Sequence, residues 1–205
     1  MLSRLDDIIY PNRCEVIEIE ASHRYIYPIY KNGSTSIRDY AYKQNYKILV
    51  NSQIKRANVI DVIIRNPLER FISGINTFVY NTKRDNPQLD VNTIIYFAET
   101  YLFLNRHYCP QIAWLINLTK YSDAKIQFYT MAELSNYTPL TMSPVEEKIL
   151  DSDTIERLTN SVHNEMYIRL DQCLLDLAGR QLTFTEVLEY IKNKDPTALA
   201  YAKLS

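Results

Sequence analysis

Six consecutive residues, Lys31-Asn32-Gly33-Ser34-Thr35-Ser36, bring a positive charge, a glycine and three hydroxyls together directly after an apolar run that reads as a strand. Where a strand turns into a helix, the first helical N–H groups lack partners and the helix dipole favours an anion. Gly33 lets the backbone approach a ligand closely, Ser34, Thr35 and Ser36 supply donors, and Lys31 supplies charge. Without a ligand the same residues make an ordinary helix cap. A second segment, Arg65-Asn66-Pro67-Leu68-Glu69-Arg70-Phe71-Ile72-Ser73, follows another apolar run. Arg65 falls at a strand end, where α/β sheets bind ligands, and a guanidinium can hold phosphate with two parallel hydrogen bonds. Ser73 lies eight residues further on, beside the apolar stripe, and Arg70 is expected on the exposed side of the same helix. The alternative for this segment is an Arg paired with Glu69 or with the C-terminal layer, and a surface Ser. Two anion-binding strand ends in one chain point to a ligand with phosphate at both ends.

These residues need elements to hold them. Cys14–Glu20 reads as an edge strand, and Tyr25–Tyr30 as a strand that Pro28 ends or bulges. Residues 34–45 carry helical potential, and Lys47–Val50 is a short strand. Val59–Ile64 (VIDVII) is a buried strand of the type found in parallel sheets. The helix after it has Asn66 as N-cap, Pro67 at its first position and Glu69 in a capping-box pattern. Its apolar face is Leu68, Phe71, Ile72, Ile75, Phe78 and Val79. Lys83–Asp90 reads as a polar loop, Val91–Asn105 and Gln111–Lys120 as helices, and Lys125–Tyr129 as a strand. From Ser143 onward the pattern is helical, near 144–150, 153–178 and 184–194, with Gly179 as a stop. Strands interleaved with helices argue for one α/β domain over residues 1–205, with a helical C-terminal portion.

Composition narrows the classes. The chain has 205 residues, 46% of them apolar, enough for a real core. Lys+Arg is 23 against Asp+Glu 24, so no basic excess marks nucleic acid or an acidic membrane surface as a partner. Cys14, Cys109 and Cys173 form neither a zinc spacing nor a disulfide framework, which points to a reducing compartment and three small apolar side chains. No stretch approaches the ~18–20 apolar residues of a membrane helix. The expectation is a soluble cytoplasmic protein.

The 31–36 turn is not an ATPase loop of the Walker A type, because its lysine precedes the glycine instead of following a second one. That placement resembles the loop of sulfotransferases, commonly Pro-Lys-x-Gly followed by two hydroxyl residues. Arg65-Asn66-Pro67, with Arg70 and Ser73 at the following three-residue steps, resembles the 3′-phosphate motif of the same family. His107-Tyr108-Cys109-Pro110-Gln111 looks like the His-x-x-Pro-Gln element of Golgi-type carbohydrate sulfotransferases. The resemblance spans residues 25–80 and continues more weakly to 111. It implies a P-loop-like three-layer α/β fold with a central parallel sheet. It also implies transfer of a sulfuryl group from 3′-phosphoadenosine 5′-phosphosulfate to a hydroxyl of a glycan or small metabolite, with no metal required. Carried over by position, Lys31, Asn32, Gly33, Ser34, Thr35 and Ser36 hold the 5′-phosphosulfate, with Lys31 also stabilising the leaving oxygen. Arg65 and Ser73 hold the 3′-phosphate.

The chain departs from the family in having Tyr30 before the loop lysine and no His or Glu between the two motifs. Asp39 falls in the first helix and Asp61 inside its strand. The acceptor's proton then needs another base, for which His107 is the first candidate, ahead of His23, His163, Glu99 and Glu69. Two other functions stay open: a non-catalytic nucleotide-binding or scaffold protein on the same fold, and an ATP-dependent phosphotransferase. The absence of a membrane anchor points to a bacterial or viral setting rather than a Golgi one.

Overall fold

A computed structural model describes residues 14–19, 24–100, 107–136 and 150–204. Its strands are β1 (Glu15–Ile19), β2 (Arg24–Tyr27), β3 (Lys47–Val50), β4 (Val59–Ile64), β5 (Lys125–Thr130) and β6 (Gln181–Leu182). Its helices are α1 (Ser34–Lys43), α2 (Pro67–Asp85), α3 (Val91–Thr100), α4 (Gln111–Thr119), α5 (Ser152–Thr159), α6 (Val162–Leu175), α7 (Phe184–Lys194) and α8 (Pro196–Leu204). Short 3-10 turns at Asn51–Arg56 and Met131–Asn136 follow β3 and β5.

The strands form one mixed sheet in the order β3-β1-β2-β4-β5-β6. Only β2, β4 and β5 run parallel; β1 lies antiparallel to both β2 and β3, and β6 antiparallel to β5. The expected parallel sheet is therefore confined to the centre. β1 is an inner strand and not an edge. Val16 and Ile17 point to opposite faces and both are buried, while Glu15 and Glu18 meet Arg38 and Arg56 at 3.5 Å. The acidic residues that suggested an edge are thus partnered by cations, and β3 takes the outer place.

Alternation along β4 sorts the core. Ile60, Val62 and Ile64 join Tyr27, Phe128, α4 and the apolar faces of α6 and α7. Ile63 joins Ile17, Ile26 and the buried face of α1 on the other side. Helices therefore cover both faces of the sheet. A third cluster joins α2 to α3 through Phe71, Ile75, Val79, Ile94 and Ile95.

Several elements differ from the sequence reading. The polar stretch at Lys83 starts as helix, since α2 runs to Asp85. The single helix expected over 153–178 is two. Asn160 closes α5, and the Ser161 hydroxyl accepts from the Asn164 amide at 3.4 Å to start α6. That local side-chain bond competes with helix continuation. Gly179, at φ 81°, turns the chain into β6, and its N–H donates to the Phe128 carbonyl at 2.9 Å. β6 and α8 are additional to the elements the sequence pattern indicates. The helix expected at 144–150 and the end of the one at 91–105 fall largely outside the described residues. No helix among the described residues is long and apolar enough to cross a membrane.

Candidate nucleotide site at the strand ends

Parallel pairing fixes the site. Ile26 pairs with Asp61 and Tyr27 with Val62, and the β4–β5 register runs from Val59 with Lys125 to Ile64 with Thr130. The C-terminal ends of β2, β4 and β5 therefore stand side by side. The turn after β2, Arg65 after β4 and the 3-10 turn after β5 all emerge at that edge.

Pro28 ends β2 as a residue with no ladder donor should. Ile29 accepts from the Asn32 N–H at 3.2 Å, closing a tight turn. Lys31 then adopts φ 67° and Gly33 φ 76°. The left-handed region suits glycine and costs a lysine roughly 1 kcal/mol, strain of a kind that gathers at functional sites. A Cβ on Gly33 would stand 2.5 Å from Leu134 of the turn after β5.

Gly33 is the N-cap of α1 and offers no side-chain acceptor. Every other helix start has one: Asn66 for α2, Asp90 for α3, Asp171 for α4, Asp151 for α5, Ser161 for α6, Thr183 for α7 and Asp195 for α8. Among the described residues α1 alone begins uncapped, and an uncapped start presents N–H donors to an incoming anion. Thr35 is exposed there, while Ser34 and Ser36 are buried.

Arg65 joins this turn directly. Its Nη1 donates to the Lys31 carbonyl at 3.1 Å, and its Nε lies 3.6 Å from Glu69, so part of the guanidinium is engaged. Its side chain keeps a quarter of its exposure. Asn66 caps α2 through the Glu69 amide at 3.1 Å, but the Glu69 carboxylate turns to Arg65, so only half of the expected capping box forms. Ser73 sits half-buried two turns into α2.

Two expectations are corrected. Arg70 is not on an exposed face: it is 2% exposed, its Nε donates to the Tyr30 carbonyl at 3.1 Å, and its Nη1 donates to the Cys109 carbonyl. The carbonyls at the end of β2 and ahead of α4 need donors, and Arg70 satisfies them from the flank of the apolar stripe. Asn32 does not present its side chain to a ligand. It is 1% exposed, and its Nδ2 donates to Ile63 O at 2.7 Å and to Gln111 Oε1 at 2.6 Å.

Gln111 enters the sequence reading only as the last residue of the His-x-x-Pro-Gln element and the first of a helix, with no role of its own, and Asp171 does not enter it at all. The Gln111 amide bonds Arg65 at both backbone groups, accepting from its N–H and donating to its carbonyl, each at 3.0 Å. Asp171 of α6 accepts from the Gln111 and Ile112 amides at 2.7 and 3.2 Å. Burial pushes the Asp171 carboxyl up to about 6, opposed by Arg70 and those amides. Arg70 and Asp171 line one small cavity with Asn164 and Tyr108, and among the described residues Arg70 Nη2 has no hydrogen-bond partner. The available signals were a glutamine opening the apolar run of α4 and an aspartate inside the apolar run of α6.

His107 lies beside the turn, its ring 5.5 Å from that of Tyr30, which also packs on Trp114 at 5.1 Å. Its carbonyl rests against Gly74 of α2, where a Cβ would come within 2.3 Å. Of the other proposed bases, His23 is outside the described residues, Glu99 and His163 fall on α3 and α6, and Glu69 faces Arg65. Asp61 is buried within β4 and bonds Arg24 at 2.8 Å; Asp39 is exposed on α1. The thiols are buried, and burial pushes Cys14 up to about 12 and Cys109 to about 11, so neither is a thiolate nucleophile at neutral pH. Comparison with family models, with curated proteins and with solved structures finds no match for this chain.

Proposed function

We propose that the protein is a sulfotransferase that takes the sulfuryl group of 3′-phosphoadenosine 5′-phosphosulfate to a hydroxyl of a glycan or small metabolite, on a P-loop-like three-layer fold. The observation that carries the reading is the contact between the two motifs, Arg65 Nη1 on the Lys31 carbonyl at 3.1 Å. It places a glycine turn with an uncapped helix beside a half-free guanidinium, an arrangement suited to a nucleotide charged at both ends. In this reading the amides of Ser34–Ser36 and the Lys31 side chain face the 5′ end, and Arg65 with Ser73 the 3′ end. Asn32 shapes the turn from within.

The acceptor oxygen attacks sulfur in line, the bond from sulfur to the bridging oxygen breaks, and adenosine 3′,5′-bisphosphate leaves. In this reading Lys31 stabilises charge on that leaving oxygen, a contribution of the electrostatic type that dominates such transfers. The acceptor's proton goes to a base, for which His107 beside Tyr30 is the proposed group.

Thermal denaturation with added nucleotide tests the reading, since a ligand at 100 times its Kd stabilises the fold by about 2.7 kcal/mol. Adenosine 3′,5′-bisphosphate is expected to raise Tm without magnesium. Stabilisation by ATP–Mg²⁺ alone would overturn the assignment. Binding of the bisphosphate with no sulfuryl transfer to a broad panel of sugars and phenols would favour the scaffold function.

A further inference from the structure

Gln111 touches both proposed phosphate sites and belongs to neither. It is fully buried, and its side-chain amide makes three bonds: Oε1 accepts from Asn32 Nδ2 at 2.6 Å and from the Arg65 N–H at 3.0 Å, while Nε2 donates to the Arg65 carbonyl at 3.0 Å. Its own N–H is held by Asp171 at 2.7 Å. Asn32 adds a second stitch, from Nδ2 to Ile63 O on β4 at 2.7 Å. The β2 turn and the β4 end are thus sewn together by one amide, anchored from behind by α6. Resting on the nucleotide reading above, we infer that Gln111 is a positioning residue. It holds the Lys31 turn and Arg65 at one separation, so that a ligand with phosphate at both ends engages both at once.

The physical consequence is a chelate effect. A two-ended ligand gains from simultaneous engagement only if the spacing of the two sites is fixed to match it, and otherwise loses that gain entirely. A ligand with one phosphate meets a single strand end and is indifferent to the spacing. A residue that merely satisfied strand-end backbone groups would lower Tm and leave the ratio of the two affinities unchanged.

The test is calorimetric titration, well below Tm, of wild type and Gln111→Met with adenosine 3′,5′-bisphosphate, adenosine 5′-phosphate and adenosine 3′-phosphate. Methionine keeps the volume and removes the three amide bonds. Wild type is expected to prefer the bisphosphate by about 100-fold or more, and Gln111→Met to lose about 10- to 100-fold for the bisphosphate alone. Each monophosphate should stay within about threefold, because neither spans the two sites. Gln111→Asn, one methylene too short to reach Asn32 and both Arg65 backbone groups at once, is read the same way should Gln111→Met fail to fold. Equal losses for all three ligands, or an unchanged preference in a folded variant, overturns the inference and leaves the nucleotide reading standing. Wild type that binds none of the three overturns both.

Discussion

Lys31 and Arg65 carry like charges at adjoining strand ends, and the proposed function gives them different tasks. Lys31 stands in a left-handed turn next to the uncapped start of α1, whereas Arg65 divides its guanidinium between the Lys31 carbonyl and Glu69. Lys31→Ala is expected to cut turnover by roughly 100-fold or more while changing nucleotide Kd little, as loss of a donor to developing charge does. Arg65→Ala should instead weaken nucleotide binding by about 10- to 100-fold, the range for one charged hydrogen-bonding partner. Steady-state kinetics beside titration separates the two, and the reverse pattern would exchange their roles. Glu69 is two-thirds exposed and competes for Arg65, so Glu69→Ala should tighten nucleotide binding a few-fold, by about 0.2–1 kcal/mol. Weaker binding in that variant would show that Glu69 orients Arg65 instead. Asp171 is legible only from the fold, because nothing in the sequence sets it opposite the amides of α4. Its carboxyl sits at about 6 in the fold and near 3.9 in an unfolded chain. The folded state therefore holds the proton more tightly, so this group's contribution is complete below about pH 4 and is lost as pH rises through about 6. Denaturant unfolding should show wild type losing stability relative to Asp171→Asn over that window. The opposite trend would mean that Arg70 and the amides outweigh burial.

At the scale of elements, local signals were enough where one segment decides its own state. Lys47–Val50 and Val59–Ile64 are strands with the expected bounds, and α7 spans the expected 184–194. They failed where a distant partner decides. The Glu15–Ile19 strand reads as an edge until Arg38 and Arg56 are brought to its acids. Arg70 reads as exposed until the carbonyls of Tyr30 and Cys109 arrive from two other segments. The capping Ser161, short and polar within an otherwise helical pattern, is the local signal that makes one helix two. The turn between β2 and α1 carries the most specific element-scale prediction. Gly33→Ala places a side chain at φ 76° and against Leu134, so it should lower stability by about 1–2 kcal/mol from the backbone alone. A Tm equal to wild type would show that the turn is free to rearrange.

For the molecule as a whole, charge says little and topology says much. A net charge of −1 carries no overall basic excess, so the proposed anion site rests on local groups. The parallel block of β2, β4 and β5 gathers three strand ends at one edge, and the interior bonds of Asn32, Arg70, Gln111 and Asp171 tie that edge to α2, α4 and α6. The order of the two motifs in the chain was legible, as was their place after strands. Their contact was not, because it depends on which strands pair. The antiparallel partner of β2 also could not be read, since β1 is joined to it through pairing and not through pattern. A crystal structure with adenosine 3′,5′-bisphosphate bound tests the central claim most directly. The expected result is one nucleotide with its 5′-phosphate on the amides at the start of α1 and its 3′-phosphate on Arg65. A nucleotide bound elsewhere, or with only one phosphate at this edge, would contradict it.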